Sequence, residues 1–209
     1  MTIFLINVGN TVYDKYTLPL IEKLCDFNNI NLFILEQNIS QNIYGLHPSW
    51  LKLFCHRLVN DDFILCWDLD LVPTKLYNLE KMFNKEFLNM TYDRGFTEEN
   101  FTFNSKFKYN CGLIGIPKKY ESFFENIYYK YGSTAIYPSY EQYYVNDEIY
   151  DNSLEINVVD SVLNSMYYGD EIFSENVLNI HYTYKISSNQ HRVDLTKFHF
   201  KKFKEFFNL

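Results

Sequence analysis

The chain has 209 residues, a length that supports one domain, here taken as 1–209, with a sizeable core. Hydrophobic residues make up 47% and charged residues 22%, which is globular rather than disordered or fibrous composition. A formal net charge of −7 argues against broad, sequence-independent binding to nucleic acid.

No apolar run reaches membrane-spanning length, and the N-terminus lacks the basic start of a signal peptide. Cys25, Cys55, Cys66 and Cys111 lie in or beside apolar runs without a Cys-x-x-Cys pair, which reads as buried thiols in a reducing compartment. The expected location is the cytoplasm. Abundant Asn, Ile, Lys and Tyr suggest an AT-rich coding genome, viral or phage, in which case the cytoplasm is the host's.

In chain order, residues 3–8 read as a buried strand ended by Gly9-Asn10, and residues 16–27 as a helix with Leu18, Leu20, Ile21, Leu24 and Phe27 at helical spacing. Residues 32–35 form a second strand. His47-Pro48-Ser49 opens a second helix, with Ser49 as its cap and Trp50, Leu51, Phe54, Leu58 and Val59 on one side. Residues 63–67 form a third strand. This order gives an α/β fold with a mostly parallel central sheet and helices on both faces. Residues 84–108 are weakly periodic and read as a long excursion with at most a short strand. A strand follows at 111–116, then helices at 119–131 and 139–149, short strands at 155–159 and 177–182, and a terminal helix at 194–208.

The third strand ends in Asp68-Leu69-Asp70. Carboxylates at i and i+2 of an extended chain point the same way, and open α/β sheets bind ligands beyond the carboxyl ends of their strands. Hard oxygen ligands suit Mg2+ or Mn2+, which complete their shells with water and phosphate. The segment therefore reads as a metal-bridged diphosphate site, or as a turn whose aspartates cap the next helix.

Four features then follow in order: Asn7-Val8-Gly9-Asn10 with Tyr13 and Tyr16 beyond it; Asp68-Leu69-Asp70; Asn110-Cys111-Gly112 with Glu141-Gln142-x-x-Val145-Asn146; and His181 with Lys185. The series resembles the GT-A (Rossmann-like) fold of nucleotide-sugar glycosyltransferases over nearly the whole chain. Within that fold it is most similar to retaining families such as glycogenin and bacterial galactosyltransferases. The resemblance implies a divalent metal, Mn2+ or Mg2+, on Asp68, Asp70 and His181. It implies a donor site at Asn7, Val8, Gly9, Asp68 and Lys185, with Tyr13 or Tyr16 under the nucleobase. It also implies an acceptor side at Asn110 and Gly112, with Glu141 and Gln142 near the transferred sugar. A nucleoside diphosphate sugar, UDP-hexose favoured, would be the donor. The acceptor would be a glycan, or else a protein or a modified DNA base. The chain departs from those families at His181-Tyr182-Thr183-Tyr184-Lys185, which has no Gly or Pro, so His191 stands as a substitute ligand.

Three alternatives stay open. An inverting transferase would need a carboxylate base, for which Asp147 or Glu148 is available. A haloacid-dehalogenase-type phosphatase would use Asp68 as nucleophile and Asp70 as acid/base, although a βαβα unit precedes the motif here. A non-enzymatic sugar-binding domain would keep the pocket without the metal. The C-terminal Lys197, Lys201, Lys202 and Lys204 alternate with Phe198, Phe200, Phe203 and Phe206; a Phe face on the core is favoured over a peripheral membrane contact.

Overall fold

The computed structural model of the protein describes residues 1–9, 13–93, 108–135, 140–167, 176–182 and 189–209. Asn10, residues 94–107 of the long excursion and Lys185 lie outside them. The described strands are β1 (Thr2–Ile6), β2 (Asn31–Leu35), β3 (Phe63–Trp67), β4 (Leu71–Pro73), β5 (Leu88–Tyr92), β6 (Tyr109–Pro117), β7 (Ile156–Val158), β8 (Ser165–Tyr167) and β9 (Asn179–Tyr182). The α-helices are α1 (Leu18–Asn28), α2 (Cys55–Leu58), α3 (Glu121–Tyr131), α4 (Glu141–Asp151) and α5 (Asn189–Phe203).

The central sheet has the order β2-β1-β3-β6-β5-β7. Its β2-β1, β1-β3 and β5-β7 pairings are parallel, and β6 runs antiparallel to both its neighbours. The mostly parallel α/β sheet expected from the sequence is present. Strand alternation splits the core in two. Ile3, Leu5, Leu65 and Trp67 face α1, β9 and the end of the chain, while Phe4, Ile64, Cys66 and Ile114 face α3 and α4. Helices therefore cover both faces, as expected. All four cysteines are free and buried.

The sequence reading missed a second, three-stranded sheet, β4-β9-β8, whose strands are three or four residues long. It also misjudged the element after His47. Pro48–Phe54 is a 3-10 helix, with α2 following as a single turn. The cap is His47, whose ring accepts from the Ser49 N–H at 3.2 Å; Ser49 itself lies inside the helix. Residues 50 to 54 are all buried, so no helical period separates a wet face from a dry one. In the terminal region, Phe203 and Phe207 are buried in the core and Phe200 packs on it, whereas Phe198 and Phe206 are exposed.

Candidate active site

The chain leaves β1 for β2 on one side and reaches β3 on the other. The carboxyl ends of β1 and β3 thus bound the point where strand order reverses, the usual ligand crevice of such sheets. Asn7 to Gly9 follow β1 there, with Gly9 at φ +71°, a backbone region that glycine enters freely. Asp68 and Asp70 follow β3. They converge through a turn rather than by strand alternation: the Leu71 N–H donates to the Asp68 carbonyl at 2.9 Å, and the Trp67 indole N–H braces the Leu71 carbonyl at 2.8 Å. β4 begins at once, and Leu71 pairs with His181 of β9. This small sheet brings a residue over a hundred positions away to the aspartates. One ligand atom from each of Asp68, Asp70 and His181 lies within 4.8 Å of the others.

His181 Nε2 is 3.3 Å from Asp70 Oδ1, and its Nδ1 is 2.8 Å from Asn164 Oδ1. We assign Nδ1 as the donor to Asn164, since an amide oxygen only accepts. Nε2 is then left to face Asp70, or a metal once deprotonated. Asn164 is itself fixed, donating to Thr91 Oγ1 at 2.7 Å and Asn110 Oδ1 at 2.8 Å. Burial pulls the His181 pKa down, but neighbouring Asp70 outweighs it and holds the imidazole above its usual value. The mirror image holds for Asp70, kept below the ordinary carboxylate range despite burial by His181 and then Arg192.

Lys52, which the sequence reading passed over, is the buried centre of the other half. Its Nζ donates to Asp68 Oδ1 at 2.7 Å, the Cys111 carbonyl at 2.8 Å and Glu141 Oε1 at 2.9 Å, three acceptors for three protons. Burial opposes its charge, yet Asp68 and Glu141 hold it well above the usual lysine value. Glu141 is held low, burial notwithstanding, by Lys52. Asp68 is pushed up to about 6, because burial, with Asp70 and Glu141, outweighs Lys52. A lysine inside the run Trp50-Leu51-Lys52-Leu53-Phe54 was the available signal, because lysine is almost never buried unpaired.

Gln142 is the third hub. Its Oε1 accepts from the Cys111 N–H at 2.9 Å and Asn110 Nδ2 at 3.2 Å, and its Nε2 donates to Asp93 Oδ2 at 2.7 Å. One turn on, buried Asn146 accepts from the N–H groups of Lys108 and Tyr109 and donates to the Tyr109 carbonyl. The Gln-x-x-Val-Asn pattern is therefore a two-point grip of α4 on the start of β6, and the chain His181–Asn164–Asn110–Gln142–Asp93 is continuous.

Other expected site residues fall differently. Tyr13 is 9% exposed within the core, its hydroxyl pushed up to about 12 by burial and then by Asp70, so its ring offers no open face to a nucleobase. Tyr16 packs on Phe200 with ring centres 5.7 Å apart. Asp147 and Glu148 turn away from the sheet to the Tyr131 hydroxyl of α3, and Glu148 also pairs with Lys130, so neither joins the cluster as a base. The acid that meets Gln142 is Asp93. His191 is exposed and lies outside the cluster of three. Gly112 does not open space for a sugar; a Cβ there would lie 2.3 Å from His181 Cε1 and 2.9 Å from Asn110 Oδ1.

Gly112→Ala is therefore expected to push the His181 ring out of line. Overpacking of this kind destabilises by about 1–3 kcal/mol. The measurement is the melting temperature together with Mn2+ affinity, and both should fall; a metal affinity equal to wild type would show that His181 keeps its place.

No protein-family model and no curated protein sequence matches the chain. Solved structures do. A glycosyltransferase involved in glycosylation of the major capsid of PBCV-1 superposes with TM-score 0.65 at 14% identity, over 95% of this chain and 100% of that one. The glycosyltransferase GlyE of Streptococcus pneumoniae gives TM-score 0.64 at 14% identity over 99% of this chain, which spans 62% of that protein. The galactosyltransferase LgtC, solved with donor and acceptor sugar analogues, gives TM-score 0.59 at 12% identity over 97% of this chain and 96% of that one. A further LgtC structure carries a glutamine-to-glutamate change in its active site. At these identities the likeness is one of architecture, and it extends over nearly all of this chain: the chain has the GT-A fold of these glycosyltransferases.

Proposed function

We propose that the chain is a metal-dependent glycosyltransferase that moves a sugar from a nucleoside diphosphate sugar to an acceptor hydroxyl. The observation that carries this is the Asp68–Asp70–His181 cluster at the strand-order reversal of a GT-A sheet. Two carboxylates and an imidazole suit Mn2+, or Mg2+ with more water, and three ligand atoms within 4.8 Å of one another fit one ion. A bound dication would supply Lewis-acid stabilisation of the departing diphosphate. Lys52 orients Asp68 and offsets part of the cost of ionising it in a buried site, Asn164 aims His181, and Gln142 with Asp93 faces the start of β6 where the sugar would lie. These groups are fixed before substrate arrives, which is how positioned dipoles favour a transition state over a ground state.

UDP-hexose is the favoured donor by the motif resemblance, and a glycan the favoured acceptor, in line with a neighbour solved with an acceptor sugar analogue; a protein or a modified DNA base is the alternative acceptor. The unit is one domain over 1–209. A cytoplasmic setting agrees with four free thiols, and no helix among the described residues is long and apolar enough to cross a membrane.

Retention of anomeric configuration is supported by Gln142, an amide that cannot act as a base, held on Asn110 and Cys111 in the first residues of β6. The expected first-formed product keeps the donor's anomer by NMR. The opposite anomer would favour inversion and make Asp93, in place of Asp147, the base to test by Asp93→Asn.

A further inference from the structure

Arg192 stands in the first turns of α5, an element anchored by buried Phe203, by buried Phe207 just beyond its end, by Tyr16 on Phe200 and by a Tyr182–His199 hydrogen bond. Its Nη1 lies 3.9 Å from Asp70 Oδ2, beyond hydrogen-bond range, while Asp70 Oδ1 faces His181. Each site aspartate thus has an internal cation beside it, but the two differ. Lys52 is locked by three acceptors and its side chain is 3% exposed; Arg192 is 19% exposed and meets Asp70 only loosely.

We infer that Arg192 couples metal and diphosphate binding, so that each is weak alone and strong with the other. The inference rests on the transferase reading and adds to it a residue outside every expected motif. A dication on Asp70 would share that carboxylate with the guanidinium, and like charges so close repel. A diphosphate reverses the sign of the effect. It brings negative charge that the guanidinium fork bonds bidentately and that the metal also ligates. Arg192 therefore opposes the metal when alone and favours the metal–diphosphate pair. By linkage the same factor appears whichever ligand is added first.

The test is calorimetric titration of wild type and Arg192→Gln with Mn2+ alone, with UDP and GDP alone, and with each nucleotide in saturating Mn2+. The expected result is a pair of opposite shifts: Mn2+ alone binds several-fold tighter in the variant, and the nucleotide in Mn2+ binds about tenfold or more weaker. Arg192→Lys, which keeps the charge without the fork, should leave Mn2+ alone unchanged and weaken the nucleotide in Mn2+; it decides the matter if the glutamine variant does not fold. A residue that merely braces Asp70 would make both affinities fall together, and that result, or no change in either, overturns the inference while leaving the transferase reading intact. Wild type that binds neither UDP nor GDP with Mn2+ overturns both.

Discussion

Asp68→Asn and Asp70→Asn should each abolish the rise in melting temperature that UDP or GDP with Mn2+ gives the wild-type chain. A ligand at one hundred times its dissociation constant stabilises the folded state by about 2.7 kcal/mol, worth roughly 5–10 °C for a chain of this size. An amide cannot supply the anionic oxygen, and each replacement also disturbs a partner. Asp70→Asn takes the carboxylate from His181 and Arg192, and Asp68→Asn takes it from Lys52. Wild-type response in both variants would end the metal assignment. Acid should imitate the loss. Asp68 must be ionised and His181 neutral to ligate, and their folded-state values are about 6 and above the usual histidine value. Asp68 therefore takes up its proton as pH falls through about 6, and His181 takes up its own at a pH above the ordinary histidine value. Mn2+ affinity should drop through these two steps and be recovered by excess metal.

The strands and helices that build the sheet were legible because each is a local pattern. Ile3 to Leu5 and Phe63 to Trp67 are apolar runs of strand length, and Leu20, Ile21 and Leu24 recur at helical spacing. The two aspartates were legible for their position, although the turn that unites them was not. What escaped was long-range. β9 was expected within 177–182, but β4 and β8 gain their identity only from pairing with it, so no window of sequence contains the signal for the second sheet. The same holds for Asn164, an ordinary polar residue until β8 and β9 set it between His181 and Asn110. Arg192 becomes part of the site only because α5 packs back over Tyr16. The tyrosines are a different case: in a chain with 19 of them, an aromatic beside a strand end carries little information, and Tyr13 packs in the core while Tyr16 stays half-buried against Phe200.

Lys52→Met should be the most destabilising single change in the site. Methionine fills the stem of the side chain but leaves Asp68 and Glu141 without the ammonium they share at 2.7 and 2.9 Å. Removing one partner of a buried ion pair typically destabilises by about 3–5 kcal/mol, here on the order of 10 °C in melting temperature. The pH dependence identifies the cause. In wild type Glu141 lies below its unfolded value because of Lys52, so it stabilises the fold above about pH 4 and that contribution fades as pH falls through its folded value. Asp68 lies above its unfolded value, so its contribution is present only in acid and is lost as pH rises through about 6. Without Lys52 both carboxyls sit above their unfolded values, and both then oppose folding as pH rises. The deficit of the variant should therefore be greatest near pH 8 and shrink toward pH 4. Adding Glu141→Gln to Lys52→Met removes one of the two uncompensated charges and should restore a large part of the loss. A Lys52→Met chain that melts with wild type at pH 8, or a deficit that grows in acid, would mean that the ammonium does not hold these carboxylates together, and that Asp68 is oriented for the metal by the turn alone.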